Sequence, residues 1–242
     1  MQPGQEIRLN KYLAERLGIS RRQADDLIAG GKVFVEKIDS TEKKPAVIGE
    51  HIDNNTKVWY NGSMVAHELS FLYLAMNKPV GYVCSKKRQG DSPTIYELLP
   101  KKYQGLKTVG RLDKDSSGLI LLTNDGDFAF QMTHPKFYKE KEYEVELDRP
   151  LEPLHQQEIA DFGIALPDGI SKLGLIRLGK DDSSDPEYRK KWKVVMHEGR
   201  NRQIRRTFEA VGYRVAKLHR TVFGKYQLGK LKSGDFAEIS AS

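Results

Sequence analysis

The sequence predicts an α+β protein, with a small N-terminal domain followed by a larger domain built on a mainly antiparallel mixed sheet. Short stretches in which apolar and polar residues alternate, typical of half-buried strands, outnumber the helical patterns along the 242 residues. Tight turn signals, such as Asn61-Gly62 and residues 124–127, follow several of these stretches. Such turns connect antiparallel neighbours, which favours this class over one with alternating helices and parallel strands.

Two helices are predicted at the start of the chain. Leucines at every fourth position form an apolar stripe over residues 8–17, and Gly18 is expected to end that helix. Ser20 and Gln23 have the spacing of a capping box, because each side chain can bond the backbone amide of the other residue. This pair predicts a second helix over residues 21–29.

The remaining elements follow from alternating or helical patterns in chain order. Strands are predicted over residues 32–36, 57–60, 71–76, 119–124, 142–147 and 191–196, with a final series of short strands. Helices are predicted over residues 93–99, 127–133, 153–162 and 202–211. A loop is predicted over residues 181–186.

The charge balance indicates an anionic polymer as partner. The chain holds 40 Lys and Arg residues against 33 Asp and Glu, a net charge of +7. Such a surface suits nucleic acid, although it also serves solubility alone.

Cys84 is the single cysteine, and the first residues lack the apolar segment of a secretion signal, so we expect a cytoplasmic protein. The histidine spacing favours no metal site, and no phosphate-binding glycine loop is present, so no metal or cofactor is expected.

The first candidate for chemistry is a carboxylate in a glycine-bounded loop. Residues 109–118 read VGRLDKDSSG and lead into an apolar, strand-like run. Because the chain as a whole is basic, we interpret Asp113 as an anionic side chain retained for catalysis. An ordinary loop aspartate that accepts local backbone hydrogen bonds is the alternative. Asp115 and Asp125 are interpreted as turn or structural residues.

Arginines concentrate between residues 189 and 206. Arg202 and Arg205 lie three positions apart on the predicted last helix, so their side chains share one face. A row of guanidinium groups suits phosphate binding, because each offers planar, paired donors. It equally suits holding one carboxylate ionised. The pattern alone leaves both roles open.

A second pair of arginines opens the capped helix. Arg21 and Arg22 stand in its first turn, where a cation opposes the helix dipole. They make better sense as phosphate contacts than as stabilisers of the helix, although a solvated polar face is the alternative.

These motifs together resemble a known family. In order they are a two-helix basic module, GRLDKDSSG at 110–118, His134-Pro135 leading to Lys141-Glu-Tyr143, EGRNRQIRR at 198–206 and VAKLHR at 215–220. The set is similar to the S4-domain ribosomal RNA pseudouridine synthases, which include the small-subunit enzyme A and the large-subunit enzymes B and F. The resemblance spans about residues 6–240. It implies an S4-like RNA-binding domain over 6–64, a linker over 65–70 and a pseudouridine synthase catalytic domain over 71–240.

The resemblance also implies roles for individual residues. Asp113 is expected to be the nucleophile, Tyr143 to stack on the target base, Arg205 to pair with Asp113, and Leu218 to line the pocket. Further substrate contacts are expected from Arg111, Arg200, Arg202 and Arg206. RNA contacts in the first domain are expected from Arg8, Lys11, Arg21, Arg22 and Lys32.

The expected activity is the conversion of one uridine of ribosomal RNA to pseudouridine, with the target base flipped out of its stack. No cofactor is expected, and the protein is expected to be a monomer. The EGRNRQIRR segment inclines the prediction towards large-subunit 23S RNA, either as free RNA or within an assembling ribosomal subunit. A 16S or tRNA enzyme is the alternative, as is a noncatalytic S4-type RNA-binding protein of ribosome assembly.

Overall fold

The computed structural model describes residues 6–40, 42–66, 70–179, 185 and 189–241, and these residues divide into two compact units. One comprises residues up to Leu72 together with Asn124–Gly126, and the other comprises Tyr73–Thr123 and the chain from Asp127. Most of the predicted 181–186 loop and part of the predicted 65–70 linker lie outside the described residues. Within the described residues, no helix is long and apolar enough to cross a membrane.

The first unit packs two helices against small sheets. Its helices are α1 (Leu9–Arg16) and α2 (Arg21–Ala29). Its strands are β1 (Ile7–Arg8), β2 (Val33–Lys37), β3 (Lys44–Pro45), β4 (His51–Ile52), β5 (Thr56–Tyr60) and β6 (Ser63–Met64). Within the described residues, one sheet has the order β3-β2-β5-β6, and β1 pairs with β4.

The core of this unit comes from the predicted apolar faces. Leu9 and Leu13 of α1, Ile28 of α2 and Val58 of β5 are almost completely buried together. The capping box is present: the Gln23 amide donates to Ser20 Oγ at 3.1 Å, and the Ser20 amide donates to Gln23 Oε1 at 2.9 Å. These local bonds start α2 at the residue that the sequence predicts.

The second unit is built on one mixed sheet. Its strands are β7 (Tyr73–Lys78), β8 (Lys107–Val109), β9 (Ser117–Thr123), β10 (Lys141–Leu147), β11 (Ile164–Leu166), β12 (Gly169–Ser171), β13 (Gly174–Arg177), β14 (Lys191–Met196), β15 (Val215–Phe223), β16 (Tyr226–Gln227) and β17 (Phe236–Glu238). Among the described residues the main order is β13-β14-β10-β15-β9-β7-β17, with β16 on β15 and β8 on β9. The β9–β15 pair is parallel and its other neighbours are antiparallel, which confirms an α+β fold with a mixed sheet.

The helices of the second unit are short. They are α3 (Gly126–Thr133), α4 (Pro153–Gln157) and α5 (Gln203–Ala210). The first residue of α3, Gly126, belongs to the first unit. Two predicted helices differ: residues 93–99 hold a 3₁₀ turn over Ile95–Leu98, and the 153–162 helix continues beyond α4 as a π-helix over Glu158–Phe162. The predicted short strands at the end include β15, a nine-residue strand inside the sheet.

Candidate active site

The loop with Asp113 joins β8 to β9 between two glycines. Gly110 has φ +70° and Gly118 has φ +105°, values that L side chains rarely adopt. Gly118 also lies against β15, where a Cβ atom would be 2.2 Å from the main-chain oxygen of Arg220. The parallel pairing of Gly118 with Arg220 therefore requires glycine, and it fixes the end of the loop on the sheet.

The loop forms one wall of a cavity of about 320 Å³, near the lower end of the roughly 300–1,000 Å³ of small-molecule pockets. The opposite side comes from the β14–α5 loop and from strands β10 and β15. Lining residues include Arg111, Asp113, Lys141, Tyr143, Glu198, Arg200, Arg202, Leu218 and Arg220. The motifs that the sequence places far apart thus meet in one cavity.

Asp113 presents its carboxylate to this cavity. Its side chain is 36% exposed, and its Oδ2 lies 3.7 Å from an Arg202 guanidinium nitrogen. The main chain of the residue is held in a turn, because the Ser116 amide donates to the Asp113 oxygen at 3.1 Å. Asp113 is thus an accessible carboxylate on a fixed backbone, close to the Arg202 guanidinium.

Arg205 makes its direct contacts with Asp115, although its predicted partner is Asp113, whose charge also acts on it. The Arg205 guanidinium donates to the main-chain oxygen of Asp115 at 2.8 Å, and its Nε lies 3.3 Å from the Asp115 carboxylate. The side chain is mostly buried and also donates to the Val215 oxygen. Its place one helical turn after Arg202 directs it to the following carboxylate of the loop, two residues beyond the predicted partner.

Asp115, interpreted from the sequence as a turn or structural residue, has two arginine partners that the sequence did not indicate. Arg202 donates to both of its carboxylate oxygens, at 3.0 and 2.9 Å. Partial burial alone would raise the pKa of Asp115, but the hydrogen bond from Arg202 and the charges of Arg205 and Arg202 hold it below its ordinary value. The ion pair ties the loop to α5, and it was missed because its partners are 87 residues apart.

Lys78 binds the main chain of the loop that carries Asp113. It is fully buried at the end of β7, and its ammonium donates to the main-chain oxygens of Ser116 and Pro79 at 2.6 and 2.9 Å. Burial lowers the pKa of Lys78 to about 8, against the opposing influence of Cys84, Asp113 and Asp115. The sequence pattern did not single out Lys78, because its contact with the loop joins residues 38 positions apart.

Tyr143 and Leu218 form the apolar side of the cavity. Both are 8% exposed and lie on the neighbouring strands β10 and β15. Leu218, predicted to line the substrate pocket, is among the residues that line this cavity. Tyr143 faces Arg220 across the strand pair, so an aromatic ring and a guanidinium stand side by side at the cavity wall.

Two cations beside Tyr143 were not singled out from the sequence. Arg220 is 2% exposed and donates from Nε to the Leu119 oxygen at 2.7 Å. Lys141 donates to the Glu198 oxygen at 3.1 Å. Burial, followed by the nearby charge of Arg220, lowers the pKa of Lys141. Both side chains add positive charge to the cavity beside the ring.

The other predicted arginines occupy different positions. Arg111 is exposed and lines the cavity. Arg200 also lines it, but its guanidinium binds the β11–β12 turn through the main-chain oxygens of Asp168, Gly169 and Ile170. Arg206 is not a lining residue: it forms a paired ion bridge with Asp168, at 3.0 and 2.7 Å. One helical position past Arg205 turns the Arg206 side chain by about 100°, towards the β11–β12 turn, and its predicted contact with the substrate stays a prediction.

The cations predicted to bind RNA in the first unit are largely at its surface. Arg8, Arg21, Arg22 and Lys32 are exposed, and Lys11 is half-buried, 4.0 Å from Glu15. The Arg21 guanidinium donates to the side-chain oxygen of Asn10, 3.2 Å away, which joins the start of α2 to α1. The unit therefore presents two exposed cations, Arg21 and Arg22, in the first turn of a capped helix.

Comparison with known proteins agrees with the motif order. A family model described as RNA pseudouridylate synthase matches residues 72–210. The chain is 34% identical over 242 residues to ribosomal small subunit pseudouridine synthase A of Pasteurella multocida, covering 97% of each chain. It is 33% identical to ribosomal large subunit pseudouridine synthase B of Bacillus subtilis, covering 96% of this chain and 92% of the relative.

A solved structure is similar over the same extent. The crystal structure of a pseudouridylate synthase is 30% identical, with a TM-score of 0.65, and the match covers 97% of this chain and 96% of that one. Sequence relatives, family model and fold agree with one another over more than half of the chain. The chain therefore belongs to the RNA pseudouridylate synthase family.

Proposed function

We propose that this protein converts a specific uridine of ribosomal RNA to pseudouridine, with Asp113 as the nucleophile. The observation that carries the proposal is that Asp113 and Tyr143, from separate motifs, line one cavity surrounded by arginine and lysine side chains. The ribosomal synthases of Pasteurella multocida and Bacillus subtilis, similar over nearly the whole chain, support ribosomal RNA as the substrate.

The reaction requires few groups from the protein. The N1–C1′ bond of uridine breaks, the ring turns, and C5 joins C1′; the C5 proton is lost and N1 gains a proton, so the composition is unchanged. The Asp113 carboxylate would hold the sugar or base during the turn, by attack on C1′ or on C6, or would assist elimination to a glycal. Removal of the C5 proton is a general-base step.

Access to the base requires that it leave its stack, at a cost of a few kcal/mol. Stacking on Tyr143 would return roughly 1–3 kcal/mol. Leu218 would contact the other part of the base, and Arg111, exposed beside Asp113, would contact the RNA backbone. Arg200 and Arg202 add to the positive potential at the cavity, while Arg205 acts through the loop rather than on the base.

The first unit would hold the RNA outside the target nucleotide. We propose that residues 6–64 form an S4-like RNA-binding domain, linked by 65–70 to a catalytic domain over 71–240. The exposed cations around the start of α2 support this assignment, since free backbone amides and guanidinium groups together suit phosphate. The protein would act as a monomer in the cytoplasm, where ribosomal RNA is made and assembled.

Large-subunit 23S RNA is the proposed target, and small-subunit 16S RNA is the second candidate. The EGRNRQIRR segment, whose Arg202 and Gln203 line the cavity, supports the first. The 34% identity to a small-subunit enzyme over the whole chain favours the second.

An Asp113→Asn variant tests the chemistry. We expect no pseudouridine in full-length 23S and 16S transcripts, read by pseudouridine-specific chemical sequencing, and an RNA dissociation constant within about 3-fold of wild type. Asp91→Asn, an exposed loop aspartate, is the matched control and should keep full activity. Undiminished turnover by the Asp113 variant would refute the proposal.

Mapping in cells tests the substrate. Pseudouridine should disappear from one 23S position when the protein is removed and return with the wild-type chain. Loss from 16S or from tRNA would instead assign those RNAs. An unchanged map, together with retained rRNA binding, would favour a noncatalytic assembly protein.

A further inference from the structure

An aromatic patch lies on the surface beside the cavity. It consists of Phe130 at the end of α3 and of His134, Phe137 and Tyr138 in the segment that follows. The rings of Phe130 and His134 are 4.7 Å apart, and those of Phe130 and Phe137 are 5.8 Å apart. Phe130 is 47% exposed and Tyr138 is 77% exposed. Four ring-bearing residues within nine positions thus stay in contact with solvent.

Core packing does not account for these rings. The other face of α3 supplies the core, where Phe128 packs edge-on against Tyr73 and Tyr226 and where Met132 is buried. Phe130 lies about 200° around the helix from Phe128, on the solvent side. An exposed cluster of large rings is unusual unless it binds something.

The charge and position of the patch indicate its ligand. The Lys136 ammonium lies 4.7 Å from the centre of the Phe137 ring and 5.2 Å from that of Phe130, so a cation stands over the aromatic surface. Thr133 and Pro135, from the same segment, line the cavity with Asp113. The patch therefore begins at the rim of the site where the target base is proposed to enter.

We propose that the aromatic patch is a stacking platform for unpaired nucleotides next to the target uridine. Every base has a π face that can stack on phenylalanine or tyrosine, and Lys136 would neutralise an adjoining phosphate. The inference rests on the proposed function, because it takes RNA as the ligand of the cavity. It adds a preference for single-stranded over paired RNA at the rim.

The test compares single-stranded and paired RNA. Binding of a fluorescein-labelled 12-nucleotide oligouridylate and of a 12-base-pair RNA duplex is measured by anisotropy at fixed salt. A Phe130→Ala/Phe137→Ala variant should bind the oligouridylate about 10-fold more weakly, with duplex binding within 2-fold of wild type. Phe162→Ala, which removes a ring 72% exposed outside the patch, should change neither.

A second variant guards against a folding defect. Tyr138 has φ +46°, and asparagine tolerates that conformation, so Tyr138→Asn should keep the fold and weaken oligouridylate binding about 3- to 10-fold. Unchanged oligouridylate binding in both variants, or equal losses for strand and duplex, would overturn the platform. Asp113→Asn should bind the oligouridylate as wild type does, so a failure of the proposed chemistry would leave this result intact.

Discussion

Arg205 donates a hydrogen bond to the main-chain oxygen of Asp115 across 2.8 Å, although the two residues are 90 positions apart. Arg202 binds the carboxylate of the same aspartate through two nitrogens. One face of α5 therefore fixes the backbone and the side chain of Asp115, two residues beyond Asp113. The arginines hold the loop in place, and Arg202 also approaches the Asp113 carboxylate, at 3.7 Å.

Asp115→Asn should lower the rate of the chemical step more than RNA binding. Asparagine cannot accept both charge-assisted bonds from Arg202, so the loop that carries Asp113 loses part of its anchor. We expect kcat to fall about 10-fold with KM within 3-fold, measured as pseudouridine formed per minute on an rRNA transcript. Glu97→Gln breaks a similar paired bridge, to Arg88, between residues that do not line the cavity, and should leave kcat within 3-fold. Equal losses in the two variants would contradict the positioning of Asp113 by Asp115.

Gly118→Ala should destabilise the catalytic unit. The new Cβ would lie 2.2 Å from the Arg220 oxygen and 2.5 Å from its nitrogen, and both are backbone atoms that cannot turn aside. The φ of +105° adds strain. We expect a loss of at least about 3 kcal/mol, seen as a fall in the melting temperature of about 10 °C. Gly105→Ala is the control, since no atom lies within 4 Å of its added Cβ; a similar melting temperature for both variants would contradict the close approach.

Local rules were enough for the elements that depend on neighbouring residues. The second helix covers Arg21–Ala29 as predicted, because a capping box and a glycine pair mark its two ends within the segment itself. The strand over Lys191–Met196 also matches its prediction, because one face is buried and the other is not. In each case the information lies within about ten residues.

Other features depend on distant parts of the chain. The nine-residue strand β15 was expected only as short strands, because its parallel neighbour β9 lies about 100 residues earlier and no local pattern announces it. For the site, the motifs identified Asp113, Tyr143 and Leu218 as lining residues. Spacing could not decide which aspartate Arg205 reaches, since Asp113 and Asp115 are two residues apart in the same loop.

Neutralising the first turn of α2 should reduce the electrostatic part of RNA binding. Arg21 and Arg22 are both exposed, and each phosphate contact contributes about 0.7–0.9 to the slope of log Kd against log salt concentration. An Arg21→Ala/Arg22→Ala variant should therefore bind an rRNA transcript more weakly, with a slope lower by about 1–2. Lys230→Ala/Lys232→Ala removes the same charge from an exposed loop before β17 and should change the slope by less. Identical slopes in the two variants would assign the arginines to a merely solvated surface.

Lys78 should make the stability of the fold depend on alkaline pH. Its pKa is about 8 in the folded chain, lowered by burial, whereas an unfolded lysine has a pKa of about 10.5. Between these values the unfolded chain binds the proton and the folded chain does not, so the free energy of unfolding rises with pH. Below pH 8 both states bind the proton, and the cost of the buried charge is fully present.

A Lys78→Met variant isolates this contribution. Methionine fills a similar volume without a titrating group, so other ionisable groups cancel in the difference between the two proteins. From pH 7.5 to 9.5, the stability of wild type relative to the variant should increase by about 1–2 kcal/mol in urea unfolding at matched salt. The same comparison with Lys102→Met, at an exposed lysine, should show no such increase, because a lysine in water keeps its proton over this range. A difference that is flat, or that falls as pH rises, would mean that Lys78 keeps its proton in the folded chain and that its bonds to Ser116 and Pro79 outweigh burial.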